Sequence, residues 1–125
     1  MARGYANLKF EWNGRASAVI KNLGFGKELN HDAAEILEAY AQPFMPYKDG
    51  GLSTNIRINA FDDHATITHL VKYANKQYEL VTPNRNKRIH PLATDHWYEE
   101  AYRVSKRQIT KEVDEARLKY RSFNY

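Results

Sequence analysis

A chain of 125 residues without a single cysteine has no disulfide, no thiol nucleophile and no thiolate metal site open to it. Its 42% hydrophobic and 27% charged content is ordinary for one globular domain. The formal charge of +4, from 19 basic and 15 acidic residues, permits contact with nucleic acid or an acidic protein and requires neither. No apolar run reaches the ~18 residues of a membrane span and no signal peptide is recognisable, so the expectation is a protein made in the cytoplasm with no membrane contact.

Leu8, Phe10 and Trp12 alternate with Asn7, Lys9 and Glu11, which predicts a strand with an aromatic inner face. Asn13-Gly14 is a turn signal. Ala16, Val19, Ile20 and Leu23 follow at helical spacing and predict a short amphipathic helix closed by Gly24 and Gly26. A longer helix is expected to begin between Lys27 and Asp32, with Leu29, Ala33, Ile36, Leu37 and Tyr40 as its buried stripe. Asn30 and Asp32 are both able to cap it.

Pro43 and Pro46 stop that helix, because each lacks a backbone donor and pushes its predecessor out of helical space. Asp49-Gly50-Gly51 then supplies residues that tolerate positive φ, so Pro46, Asp49, Gly50 and Gly51 form the expected structural turn. Leu52, Thr54, Ile56, Ile58 and Ala60 leave it as a half-buried strand. Asp62-Asp63 is a two-residue hairpin turn, and the return strand puts Ala65, Ile67, His69 and Val71 on one face. His64 and His69, five apart, point to opposite faces and do not share a metal.

Tyr73 to Leu80 reads as one or two helical turns. The loop from Thr82 to Pro91 holds Arg85, Lys87 and Arg88 with no acid among them, a pattern suited to phosphate or an acidic partner as well as to plain solvation. Thr94 or Asp95 starts a long helix that runs to about Arg121, with Glu99 and Glu100 near its first turn. Its stripe, Trp97, Ala101, Val104, then Ile109, Val113, Ala116, Tyr120 and Phe123, slips near Gln108. The first half is therefore expected on the domain and the second half projecting toward a neighbour. Together these elements predict one α+β domain over residues 1–125, a small mostly antiparallel sheet packed with helices and ending in a long C-terminal helix.

Chemistry is sparse. Gly24-Phe25-Gly26 lacks the rest of a phosphate loop, and no HExxH or other close metal-ligand spacing is evident. Asp95 and His96 are adjacent and face apart on a helix, which suits a cap beside an interfacial histidine. Glu35 and Glu38 are ordinary surface carboxylates. No catalytic, cofactor-binding or metal residue is assigned, and a non-enzyme is expected. The nine tyrosines point weakly toward assembly, since tyrosine is enriched at interfaces. Tyr73, Tyr78, Trp97, Arg85, Lys87 and Arg88 are the candidates for an interface or a DNA-facing surface, Trp97 alternatively serving as the anchor of the C-terminal helix.

Three segments in order carry a resemblance. The helix into Pro-Phe-Met-Pro-Tyr-Lys-Asp-Gly-Gly-Leu (43–52) and a strand is similar to the "helix, P-x-x-T-G-x-L, strand" signature of minor capsid or neck proteins of long-tailed bacteriophages and prophages. Residues 71–78, VKYANKQY, resemble their "YA-x-x-x-Y" stretch, and residues 90–97, HPLATDHW, their "HPLA…W" segment. The departure is at the turn, where the family's Thr-Gly is Gly50-Gly51 here. The resemblance implies a virion neck protein, made in the host bacterial cytoplasm and assembled as a homo-oligomeric ring, a hexamer or dodecamer. Its implied partners are itself, the connector or head-completion proteins on one side, the tail-completion proteins on the other, and packaged DNA in the channel. It implies no cofactor. The alternative drawn from the residues is a small basic nucleic-acid-binding module.

Overall fold

The computed structural model describes residues 9–21, 26–45, 55–71, 74–79 and 94–121. The N-terminal alternation forms strand β1 (Lys9–Trp12). The chain reverses through Asn13-Gly14, where Gly14 takes φ 76° and Ala16 φ 62°, and returns as β2 (Ser17–Lys21). A strand therefore stands where a short helix was expected. Over so few residues the apolar positions fit either period, and pairing decides: Ala18 and Ile20 are buried while Lys21 is exposed, and β2 hydrogen-bonds to a strand on each side.

Strands β3 (Ile56–Ala60) and β4 (His64–His69) form the hairpin that their alternation and the Asp62-Asp63 turn predict. The sheet order is β1-β2-β4-β3, every neighbouring pair antiparallel. One row across all four strands, Trp12, Ala18, Ile67 and Ile58, lies on the inner face. Ala18, Ile20, Ala65, Ile67 and His69 on that face are buried.

Helix α1 (Lys27–Ala41) covers this face with Leu29, Ala33, Ala34, Leu37 and Ala41. Gly26, expected to end a helix, instead precedes this one, at φ 94° and ψ 178°. Neither Asn30 nor Asp32 is its cap. Asn30 sits buried in the first turn and its Nδ2 donates to the carbonyls of Phe61 (2.6 Å) and Asp62 (3.0 Å), tying the helix to the β3–β4 turn. A 3₁₀ turn over Gln42–Phe44, with Pro43 in it, ends α1. The expected turn residues Pro46, Asp49, Gly50 and Gly51 lie outside the described residues.

Helix α2 (Ala74–Glu79) buries Ala74 and Tyr78. Helix α3 (Trp97–Arg121) has the predicted length, but its torsions break at Ser105 (φ −118°, ψ 25°), three residues before Gln108. Val104, expected inside the stripe, is 54% exposed; the buried positions are Trp97, Tyr98 and Ala101 before the break and Ile109, Thr110 and Val113 after it. The second half does not project. It packs beside α1, where the Tyr40 hydroxyl donates to Glu112 and Lys119 Nζ lies 3.8 Å from Asp32. Among the described residues no helix is long and apolar enough to cross a membrane.

Candidate assembly surfaces

Tyr78 and Trp97 do not reach a surface on this chain: both are fully buried. Their place is an aromatic layer between the sheet, α2 and the start of α3. The Trp12 ring stacks on Tyr78 at 3.9 Å and 6°, while Trp97 meets Tyr78 edge-on at 4.6 Å and 77°. Trp97 is thus the anchor of α3, and the interface expectation for these two residues is corrected. Between them the two rings bury large apolar area against Trp12, His69 and Tyr98, which places them in the core.

Two polar details lock the layer, and neither was foreseen. Asn75 of α2 accepts from Trp12 Nε1 (2.9 Å) and from the Ala16 amide (2.7 Å), and its Nδ2 donates to the Gly14 carbonyl (2.8 Å). One side chain so holds both the key tryptophan and the β1–β2 turn. His69 Nε2 and the Tyr98 hydroxyl share a hydrogen bond of 2.6 Å inside the core. Burial pushes the Tyr98 hydroxyl well above its usual range, and the nearby Glu38 carboxylate adds to this. With His69 at 2% and Tyr98 at 0% exposure, the pair serves packing and offers no accessible face to a ligand. His64 and His69 point to opposite faces of β4, as expected: His64 is half-buried and bonded to Asp63 (2.7 Å) on the outer side.

The surfaces that remain are two and unlike. The outer sheet face carries Lys9, Glu11, Lys21, Arg57 and Asn59, all exposed, around half-buried Val19, Thr66 and Thr68. Lys9 stands directly opposite Lys21, whose charge is met by Glu11 at 3.2 Å. Helix α1 holds four acids, Glu28, Asp32, Glu35 and Glu38, against one base, Lys27. Glu28 and Glu35 are exposed on the side turned away from the sheet, since the opposite stripe is the buried one. Glu112 of α3 joins Asp32, Glu35, Tyr40 and Lys119 around a shallow cleft beside it.

One cluster departs from the sequence expectation of no close metal-ligand spacing. His31, Asp32 and Glu35 bring donor atoms within 4.8 Å of one another, through the i,i+4 spacing of His31 and Glu35 on a helix. These donors already neighbour one another and a cation: His31 Nδ1 is 3.6 Å from Glu35 and 3.9 Å from Asp32, and Asp32 is near Lys119. Asp95 and His96 also meet, at 2.8 Å, with His96 at φ 47° and its amide donating to the Tyr78 carbonyl. That arrangement fixes the entry of α3.

Arg85, Lys87, Arg88 and Tyr73 lie outside the described residues. No known family model, curated protein or solved structure matches the chain.

Proposed function

We propose that the chain is a structural subunit of a bacteriophage neck, forming a homo-oligomeric ring that joins the DNA-filled head to the tail. The observation that carries this proposal is one subunit with two chemically different outer faces, a cation-bearing sheet and an acid-bearing helix. A head-to-tail ring needs that asymmetry, because each subunit gives one surface and receives on another. The three segments at 43–52, 71–78 and 90–97 support the particular setting, and the long α3 packed against α1 supplies a rigid body for stacking on neighbouring rings. No turnover enters such a role.

The experiment is joining. A lysate lacking the protein is expected to hold complete heads and complete tails that do not attach. Added protein restores joining in proportion to its amount and saturates when every neck is filled. Joined, infectious particles without the protein refute the proposal, and rescue far below one ring per particle points to catalysis instead.

A second reading has one specific observation in its favour: Lys106, Arg107 and Lys111 are all exposed on α3. A nucleic-acid-binding module built on them loses affinity linearly in log salt, with a slope set by the number of phosphates neutralised. Titrating duplex and single-stranded DNA at several salt concentrations separates the two: tight binding of free DNA with a steep salt slope favours the module.

A further inference from the structure

Charge on the two outer faces is not used up within the subunit. On the sheet, Lys9 and Lys21 are cross-strand neighbours, an arrangement that repels, and only Lys21 has a carboxylate beside it. Lys9 and Arg57 have no ion-pair partner among the described residues, and they sit at opposite corners of the face, on β1 and β3. His64 completes the row of Lys9 and Lys21. On the other side of the domain, Glu28 and Asp32 are like charges four apart on one helix, which also repel. Glu28 likewise has no ion-pair partner among the described residues, and Glu35 has only the His31 ring at 3.6 Å. The helix dipole accounts for an acid at the start of α1, but it fades within the first turn and does not account for Glu35.

From these placements we infer that the outer sheet face of one subunit docks on the outer face of α1 in the next copy of the same chain, Lys9, Lys21 and Arg57 meeting Glu28, Asp32 and Glu35. This rests on the ring proposed above and names its contact. The occupant is a second copy because the two faces have opposite sign, lie on opposite sides of one domain, and so link copies in one direction. A contact of this kind is heterologous: it repeats from copy to copy and gives a ring where the rotation between copies closes, an open filament where it does not. The centre of the sheet face, Val19, Thr66 and Thr68, carries short uncharged side chains that let a helix approach, and the charged rim sets its register. The mixed polarity also predicts weak pairwise association that strengthens on closure, when each subunit gains its second contact.

The test uses the full chain. A carbodiimide joins amines to carboxylates in contact, and an equal mixture of isotopically light and heavy protein distinguishes links between copies from links within one. Lys21–Glu11 (3.2 Å) and Lys119–Asp32 (3.8 Å) are internal links that must appear in any case. Mixed-isotope links from Lys9 or Lys21 to Glu28 or Glu35 are expected; internal links alone overturn the contact.

Two charge-reversed variants then test direction. Lys9→Glu with Arg57→Glu makes both faces acidic, and Glu28→Lys with Glu35→Lys makes both basic. Each variant alone is expected to self-associate at least about tenfold more weakly than wild type, read by light scattering, with an unchanged circular dichroism spectrum. An equimolar mixture should assemble again, because each acidic face now finds a basic one, and the assemblies should contain even numbers of subunits. Undiminished assembly of either variant alone, or a mixture that fails to assemble, overturns the contact. The neck proposal fails separately: a variant that cannot self-associate in solution yet yields normally joined particles refutes the ring while leaving the contact itself intact.

Discussion

Asn75 ties the β1–β2 turn to α2 through three hydrogen bonds, and Asn75→Leu tests that tie directly. Leucine has the same branching and number of side-chain heavy atoms and no polar atom, so the effect falls mainly on the hydrogen bonds. The substitution leaves the Trp12 indole N–H and the Ala16 amide without their acceptor, and the Gly14 carbonyl without its donor. The first two groups are partly buried, and stranding such a donor costs about 1–3 kcal/mol. The Gly14 carbonyl is exposed and water replaces its bond, so it contributes little. The expected loss is about 3 kcal/mol, against a total stability of roughly 5–15 kcal/mol. In a domain of this size that lowers the melting temperature by roughly 10 °C. Asn75→Asp retains both acceptor bonds and loses only the exposed donor bond to the Gly14 carbonyl, so it should cost under about 1 kcal/mol. Urea unfolding followed by tryptophan fluorescence and by circular dichroism gives both values. A loss below about 0.5 kcal/mol for Asn75→Leu refutes the latch.

Ala16 holds φ 62°, a conformation costing a non-glycine residue ~1–2 kcal/mol. Ala16→Gly relieves it against a greater entropy loss on folding, so a gain of up to about 1 kcal/mol is expected in the same urea assay. Trp97→Ala removes a fully buried ring and should cost ~3–5 kcal/mol, with loss of near-ultraviolet circular dichroism if the mutant still folds. Glu38 is raised above its ordinary value of 4.5, chiefly by burial. A carboxyl raised in the folded state favours folding below its unfolded pKa, and that contribution is lost as pH rises through the folded one. Glu38→Gln should therefore raise stability at neutral pH and flatten the fall in melting temperature from acid toward neutral pH, measured by thermal melts across that range.

Local pattern determined much of this chain. Period-two alternation around Asp62-Asp63 is enough for the β3–β4 hairpin, because a strand with one wet face must alternate and a two-residue turn sets its register. The apolar stripe from Leu29 to Tyr40 places α1, and the long stripe from Trp97 places α3 with a slip near the point where Ser105 breaks it. Tertiary structure decided what a short window cannot carry. Ser17–Lys21 satisfies helix and strand spacing alike, and only hydrogen-bonding to β1 and β4 makes it a central strand. Tyr78 and Trp97 are chemically as fit for an interface as for a core; stacking on Trp12 chose the core. Asn75 lies 63 residues from Trp12, so their bond has no local trace. The two charged faces share that origin. Alternation assigned Lys9 to the outside of its strand, but Lys21 fell in an expected helix and meets Lys9 only once β2 pairs with β1, and α1 turns its acids away from the sheet only once Leu29, Ala33 and Leu37 are buried on it. Secondary structure is written in neighbours along the chain, and surfaces are written in neighbours across it.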